Sequence, residues 1–179
     1  MSWIQEYKPL IGVRLNMVAT PSGQFFGPKG SSREISNELD RSLIIKLREY
    51  CDVYVTGGNT FRSEGYKVPT SRALAVITRH PANLPDGVIG ISSNSSNLAA
   101  NSIKKLGELG FERVLLEVGP SLAVQFFKDD AIDEFCLTLV GGTTADAASV
   151  AKSLGCHLKL ESAFNIEGTL FTRWRRGND

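Results

Sequence analysis

The sequence predicts one α/β domain with a mixed, mostly parallel central sheet, helices on both faces and antiparallel strands at its C-terminal end. Through the first two-thirds of the 179 residues, short apolar runs alternate with segments of helical periodicity, the pattern of a parallel sheet. The last third turns to strand-like runs, which indicates antiparallel edge strands. The length fits one domain with a sizeable core. We therefore expect a single domain over residues 1–179, in which residues 1–9 form an N-terminal arm.

Each predicted strand is a short apolar run that ends at turn residues. In the first of them, Arg14 and Asn16 alternate with aliphatic residues, and a Thr-Pro-Ser-Gly turn follows at residues 20–23. The final two runs have the length of a terminal antiparallel pair. The predicted strands cover residues 10–19, 52–56, 72–78, 87–92, 114–118, 132–140, 157–163 and 168–175.

The helices are predicted from apolar residues at helical spacing and from capping residues. The first runs from near Ser36 to Tyr50, with Ser36 or Asn37 as its cap. The second covers residues 97–109, is capped within residues 94–96, and ends at a glycine in a helix C-terminal position. A third follows Pro120, since proline suits the first helical position. Residues 145–154 form a short helix or a turn, and the glycine-rich loop 24–32 is predicted to be mobile.

Composition argues against several functional classes. Twenty basic and nineteen acidic residues leave a net charge of +1, which does not favour nucleic acid or an anionic membrane as a partner. The three cysteines are widely spaced and form no metal-binding pattern, so we expect buried free thiols in a reducing cytoplasm and no metal. Neither His80 nor His157 lies in a zinc or Ser-His-Asp motif. We see no signal peptide and no apolar run of transmembrane length.

Two glycine turns at strand ends form the candidate ligand site. Gly119 and Pro120 follow the strand 114–118 and open a helix, where backbone N–H groups favour an anion. The run TGGNT at residues 56–60 repeats this arrangement, and Thr60 would cap a short helix while offering a hydroxyl. Carboxyl ends of parallel strands are where open α/β sheets bind ligands. Neither turn completes a dinucleotide or P-loop motif, but the pair would suit the two ends of an extended phosphorylated cofactor.

Several segments in this order resemble the reductase domain of riboflavin-biosynthesis enzymes, over about residues 13–174. They are the turn at 20–23, the helix end Lys46-Leu47-Arg48, the run VTGGNTFRSE at 55–64, and the runs LEVGPSLA at 116–123 and IDEF at 132–135. The most specific is Glu-x-Gly-Pro-[Ser/Thr]-Leu-Ala. The zinc deaminase motifs of bifunctional members, His-x-Glu and Pro-Cys-x-x-Cys, are absent, so the chain would supply only the reductase half.

The resemblance implies a three-layer, dihydrofolate-reductase-like fold and a homodimer. It also implies an NADPH-dependent reductase that opens the ribose of 5-amino-6-(5-phosphoribosylamino)uracil, a phosphorylated pyrimidine, to a ribityl chain. Two other functions stay open. The chain would otherwise be a dihydrofolate-reductase-like enzyme for another small carbonyl or pterin-like substrate, or a nucleotide-binding protein without turnover.

Residue roles follow from the same resemblance. Ser32, Arg48 and Glu117 match substrate positions, with Arg48 a candidate for the substrate phosphate and Glu117 the candidate catalytic acid. Arg79 would hold the adenosine 2′-phosphate, because its guanidinium suits that charge. The residues expected to line the cofactor are Val18, Ala19, Gly57, Gly58, Thr60, Glu64, Thr78, Arg79, Val118, Gly119, Pro120 and Ser121.

The chain departs from the family pattern mainly on the substrate side. Ser22 replaces an aspartate in the first turn, and Glu34 stands where an aromatic residue is common. The loop after Glu64 lacks the family's basic residue, for which Arg72 is an approximate substitute. These departures affect the identity of the substrate more than the binding of the cofactor.

Each proposed role also has a purely structural alternative. Glu117 would accept hydrogen bonds only from the following helix, and Arg48 would only complement its own helix dipole. Gly57-Gly58 would be an ordinary tight connection. Arg79, next to His80, would belong to a solvated loop.

Overall fold

The computed structural model describes residues 3–94 and 96–177. Short 3₁₀ turns lie at Trp3–Glu6, Ser32–Glu34 and Pro81–Asn83. In chain order the strands and helices are β1 (Gly12–Ala19), α1 (Glu38–Tyr50), β2 (Val53–Gly57), α2 (Gly58–Ser63), β3 (Ala73–Thr78), β4 (Val88–Ser92), α3 (Leu98–Glu108), β5 (Arg113–Glu117), α4 (Pro120–Lys128), β6 (Glu134–Val140), α5 (Thr144–Ser153), β7 (Lys159–Ile166) and β8 (Thr169–Arg175).

The eight strands form one sheet in the order β4-β3-β2-β5-β1-β6-β8-β7. The six strands from β4 to β6 pair in parallel, whereas β6 with β8 and β8 with β7 pair antiparallel. The predicted mixed sheet with antiparallel C-terminal strands is confirmed. The register sets Thr56 of β2 opposite Glu117 of β5, so both glycine turns leave the sheet side by side.

Helices cover both faces of the sheet, which confirms the predicted layers. Successive residues of a strand point to opposite faces, and β5 illustrates the result. Leu116 belongs to a core cluster that also contains side chains of α3, α4 and α5, whereas Leu115 belongs to a second cluster with α1. The same alternation sets Glu117 on the face of α1.

The N-terminal arm packs against the α1 face of the sheet. The ring of Trp3 stacks on Phe171 of β8 with centroids 4.3 Å apart, and Tyr7 is buried beside it. Burial raises the pKa of Tyr7 above its usual value. Trp3 and Tyr7 thus hold the arm against the sheet, whereas the other residues of 3–9 are exposed or only partly buried, and the rest of the predicted arm, residues 1 and 2, lies outside the described residues.

Two capping predictions are confirmed. Asn37 caps α1, since its side chain accepts a hydrogen bond from the backbone N–H of Asp40. Gly110 follows the end of α3 with a φ of 86°, the left-handed conformation expected there. Residues 145–154 do form a helix, α5, whose cap Thr143 makes a capping box with Asp146.

Two other capping predictions are wrong. The N-cap of α3 is Asn97 rather than a residue within 94–96, of which Ser95 lies outside the described residues. Thr60 does not cap a helix, because α2 already begins at Gly58 with Gly57 as its N-cap. A glycine cap leaves no side-chain signature at this position, and the helix is only six residues long.

The polar residues of β1 are more buried than their residue types suggest, and the three cysteines differ in burial. β1 lies inside the sheet with layers on both faces, so Arg14 and Asn16 are buried along with the aliphatic residues of the strand. Cys51 and Cys136 are buried free thiols as predicted, whereas Cys156 is only partly buried.

Candidate functional site

The two glycine turns meet at the carboxyl edge of the sheet, as their position after parallel strands predicts. α2 follows directly on β2, and two residues separate the end of β5 from the start of α4. Both helices therefore begin at the same edge, next to each other. The N-terminal N–H groups of a helix have no partner within it, and they favour negative charge.

Close packing explains the glycine pair between β2 and α2. A Cβ atom on Gly57 would lie 2.9 Å from Cδ1 of Leu122 in α4, and one on Gly58 would lie 2.9 Å from Oγ1 of Thr78 in β3. The tight connection proposed as a structural alternative is therefore present. The same packing places the N-termini of α2 and α4 beside the strand ends. Their N–H groups would therefore lie close to a ligand bound at this edge.

Gly58→Ala is expected to lower the free energy of unfolding by about 1–3 kcal/mol, the usual cost of overpacking, because Thr78 is buried and β-branched and cannot give way easily. Urea unfolding measures the change. Gly107→Ala is the matched control, since a Cβ there meets no atom within 4 Å. Gly107 lies within α3, so this control should gain about 0.5–1 kcal/mol. Equal effects at both glycines would contradict the packing argument.

A cavity of about 660 Å³ lies beside the turns, between the strand ends, α1 and the loops that follow β1 and α2. This volume is within the range of small-molecule sites. Among the predicted site residues, the cavity is lined by Val18, Ser32, Arg48, Thr60, Glu64, Glu117, Val118, Gly119 and Pro120. The predicted residues that do not line it are Ala19, Gly57, Gly58, Thr78, Arg79 and Ser121.

Glu117 and Arg48 form a hydrogen-bonded ion pair at the cavity wall. Nε of Arg48 lies 2.6 Å from Oε1 of Glu117, and its Nη2 donates to Oε2. Tyr66 donates to the same Oε2 at 2.8 Å, and the guanidinium lies 4.6 Å from the ring centroid of Tyr54. The Glu117 side chain is 4% exposed and that of Arg48 33%. The carboxylate is thus held by Arg48 and Tyr66 rather than by the start of α4.

The charge of this pair is set by two opposing effects. Burial disfavours the charged form of Arg48, but hydrogen bonding and charge from Glu117 outweigh it and keep the Arg48 pKa above its usual value. Burial, followed by the charge of Glu117, raises the pKa of Tyr66. The phenol therefore remains a hydrogen-bond donor at neutral pH, and the guanidinium remains a cation that faces the cavity.

Glu64 fastens a loop that forms another wall of the cavity. Its Oε1 accepts hydrogen bonds from Ser31 Oγ at 2.8 Å and from the backbone N–H of Ser32 at 3.0 Å, and its Oε2 pairs with Arg33 at 2.9 Å. Glu34, a departure from the family pattern, accepts from the backbone N–H of Lys29 in the same loop. The structure thus joins Ser32 and Glu64, for which the family resemblance implies separate substrate and cofactor roles.

Several lining residues had no sequence signature. Tyr66 and Tyr54 lie outside any motif, and Asp40, in the first turn of α1, has the usual position of an acid at a helix N-terminus. Lys67 lines the cavity, whereas Arg72 lies at the amino end of β3 and donates to the backbone of Glu49. The further lining residues not predicted are Asn16, Met17, Phe25, Phe26, Arg33, Ser36, Arg41, Ile44, Ile45 and Gly65.

The described part of the chain has neither a cluster of metal-ligating side chains nor a helix that could span a membrane. Within residues 3–94 and 96–177, no three or more His, Cys, Asp or Glu side chains are grouped so that they could hold a metal ion. None of the helices in these ranges has the length and apolar character needed to cross a membrane.

Residues 12–167 match the family model of the RibD C-terminal domain. No curated protein matches the chain significantly. Among solved structures, a pyrimidine reductase-like protein from Corynebacterium diphtheriae superposes with a TM-score of 0.71 at 19% identity, over 94% of this chain and 92% of the other.

Two further solved structures are similar. A diaminohydroxyphosphoribosylaminopyrimidine deaminase/5-amino-6-(5-phosphoribosylamino)uracil reductase from Thermotoga maritima gives a TM-score of 0.69 at 16% identity, over 93% of this chain and 56% of that one. Dihydrofolate reductase from Enterococcus faecalis, complexed with NADP(H) and RAB-propyl, gives 0.60 at 14% identity, over 93% and 97% of the two chains. At such identities the likeness shows the fold, which is dihydrofolate-reductase-like, as predicted.

Proposed function

The chain belongs to the RibD C-terminal domain family, and we propose that it is an NADPH-dependent reductase that converts the ribosyl group of 5-amino-6-(5-phosphoribosylamino)uracil to a ribityl chain. One observation carries the proposal. A single cavity is lined by the glycine turn after β5 and by the Arg48–Glu117 pair, so cofactor-side and substrate-side groups adjoin. The activity in the name of the Thermotoga maritima protein is this same reduction.

The residues at the sheet edge fit a nicotinamide cofactor. Val18, Val118 and Gly119 line the cavity with apolar groups and backbone, and the start of α4 beside them favours a phosphate. Thr78 ends β3, two strands from β5 along the same edge, and the exposed Arg79 follows it. A nicotinamide bound near Val18 would supply the hydride, while the chain itself orients the substrate and limits water. Arg79 is the proposed contact for the 2′-phosphate of NADPH.

Arg79→Ala is expected to weaken NADPH binding about tenfold, which corresponds to the loss of one charge-assisted hydrogen bond. The effect is set at the lower end of the range for such bonds because Arg79 is exposed. NADH has no 2′-phosphate, so its affinity should stay unchanged. Calorimetric titration with both nucleotides measures the difference. Arg72→Ala is the matched control, since Arg72 precedes the other end of the same strand. An equal loss for NADH, or the same loss in the control, would contradict this role.

On the substrate side, we propose that Arg48 and Glu117 act as one unit. Arg48 fixes the Glu117 carboxylate, which can then accept hydrogen bonds from substrate hydroxyl groups as the ribose opens. Glu117 is our candidate catalytic residue on this basis. Because the Arg48 guanidinium is already engaged by both Glu117 oxygens and Arg33 pairs with Glu64, we propose that the substrate phosphate meets Arg41 and Lys67, which also line the cavity.

The direct test is NADPH oxidation by the purified chain with the phosphoribosylamino-uracil as substrate and dihydrofolate as the comparison. We expect turnover with the former only. Turnover with dihydrofolate alone would favour the alternative dihydrofolate-reductase-like enzyme, and NADPH binding without turnover on either would favour a nucleotide-binding protein. We also propose a cytoplasmic homodimer, and sedimentation velocity would reveal the oligomeric state.

A further inference from the structure

Most arginines of this chain are neutralised by a partner. Seven of the eleven pair with a carboxylate, and Arg72 donates to two backbone oxygens. The other three, Arg41, Arg62 and Arg79, have neither kind of partner within the described part of the chain. Arg41 lines the cavity. Arg62 and Arg79 are exposed cations beside the carboxyl ends of β2 and β3.

The guanidinium of Arg62 lies over the turn between β2 and α2. Its Nη2 donates to Oδ1 of Asn59 at 2.6 Å. Its Nη1 lies 3.3 Å from the position that a Cβ atom on Gly58 would occupy, and Oγ1 of Thr78 lies 2.9 Å from that same position. Among the residues that the structure describes, Nε and Nη1 have no hydrogen-bond acceptor. The side chain thus folds back from α2 toward the end of β3 and keeps two N–H groups available to a ligand.

Thr78 fixes the backbone around Arg79 at the same place. Its Oγ1 accepts a hydrogen bond from the backbone N–H of His80 at 3.3 Å, which closes a turn that has Arg79 at its centre. Two exposed arginines therefore adjoin Thr78, Arg62 through space and Arg79 along the chain. Like charges held at one strand end repel each other, and an anion bound between them relieves that repulsion.

We propose that Arg62 is a specificity-determining residue that binds the 2′-phosphate of NADPH together with Arg79. This inference rests on the function proposed above, and it adds a residue to which the family resemblance assigns no role. A phosphate monoester carries a charge of about −1.5 to −2 at neutral pH, which one exposed arginine does not neutralise. The planar guanidinium of Arg62 presents Nε and Nη1 in a fork that matches phosphate oxygens.

The place of the two arginines along the sheet edge suits the adenosine end of the cofactor. The nicotinamide is proposed near Val18 in β1, and β3 lies three strands from β1 in the order β3-β2-β5-β1. At the usual strand spacing this separation is about 14 Å, which an extended dinucleotide can span. The bridging phosphates, which NADH also carries, are proposed at the start of α4 beside β5. Arg62, at the border of β2 and β3, therefore lies on the side of the 2′-phosphate.

The test compares NADPH with NADH, which differ only in the 2′-phosphate. Each is titrated calorimetrically at low ionic strength, where exposed charges are least screened. Arg62→Ala should weaken NADPH binding about tenfold, which corresponds to the loss of one charge-assisted hydrogen bond, and should leave NADH binding unchanged. Arg62→Lys keeps the charge without the fork and should lose less.

A double variant shows whether the two arginines hold one phosphate. Arg62→Ala/Arg79→Ala should bind NADPH and NADH about equally, because no arginine then faces the 2′-phosphate. Arg41→Ala is the matched control, since Arg41 is also exposed and unpaired in the described chain but lines the cavity on the substrate side. Its ratio of NADPH to NADH affinity should equal that of the wild type.

Two results would overturn the inference and leave the proposed function standing. An equal loss for NADH in Arg62→Ala would place Arg62 at the phosphates that both nucleotides share, and an unchanged ratio would show that Arg62 does not contact the cofactor. A wild type without affinity for NADPH would instead overturn the proposed cofactor itself. Because Arg62 is exposed, its variants should melt within about 2 °C of the wild type, so a changed ratio reports on binding.

Discussion

Arg48→Ala is expected to lower the free energy of unfolding by about 3–5 kcal/mol, the usual cost of leaving one member of a buried ion pair alone. The reason is asymmetric burial. Glu117 is 4% exposed and would keep only the Tyr66 hydroxyl as a partner. The same change should lower kcat/KM about 10–100-fold, which corresponds to the loss of one charge-assisted hydrogen bond. Chemical denaturation and steady-state kinetics measure the two effects.

A double variant separates stability from activity at this pair. Arg48→Met/Glu117→Leu removes both charges and keeps side chains of similar size, so most of the lost stability should return. Activity should not return, because the carboxylate is gone. Recovery of turnover in the double variant would show that the pair is structural only. Glu117→Gln with full turnover and unchanged NADPH binding would exclude a proton-transfer role.

Glu134→Ala should cost a similar amount of stability, about 3–5 kcal/mol, without affecting the site. Glu134 is 3% exposed and pairs with Arg14, itself 7% exposed, at 2.5 Å. Arg173 and Arg175 approach its other oxygen at 3.6 and 3.4 Å. For a chain of this size the melting temperature should fall by about 10 °C. Glu134 begins β6, at the sheet edge opposite the cavity, so the folded variant should bind NADPH normally.

Glu161→Ala is the control for this network. Glu161 is 40% exposed and contacts Arg173 and Arg175, and exposed pairs contribute at most about 1 kcal/mol. A large loss of NADPH affinity in folded Glu134→Ala, or a loss of stability in Glu161→Ala as large as in Glu134→Ala, would contradict this account.

The fold was largely predictable because local patterns set it. Short aliphatic runs such as residues 114–118, bounded by turn residues, are typical of buried strands, and the glycines and prolines after them mark where the chain turns. What local pattern could not supply was α2. Its cap is a glycine, and it packs by the close approach of Gly58 to Thr78, a contact between α2 and β3.

The site was predictable in outline but not in its internal connections. The motifs at Gly57-Gly58 and Gly119-Pro120 mark two ends of adjacent strands, and the sheet register brings them together. Arg48 and Glu117 are 69 residues apart in the chain, and nothing in sequence spacing says that they pair. Asp40 was missed for a related reason. Its position is that of an ordinary acid in the first turn of a helix, and nothing in the sequence shows that it lines the cavity.

The central claim, a nicotinamide cofactor at the edge of Gly57-Gly58 and Gly119-Pro120, is tested most directly by thermal melts of the full chain with increasing NADPH. A ligand that binds only the folded state stabilises it by RT ln(1 + [L]/Kd), about 2.7 kcal/mol at one hundred times the Kd. We predict a melting temperature that rises steadily with NADPH concentration, and a smaller rise in Arg79→Ala. A melting temperature unchanged at saturating NADPH would contradict the claim.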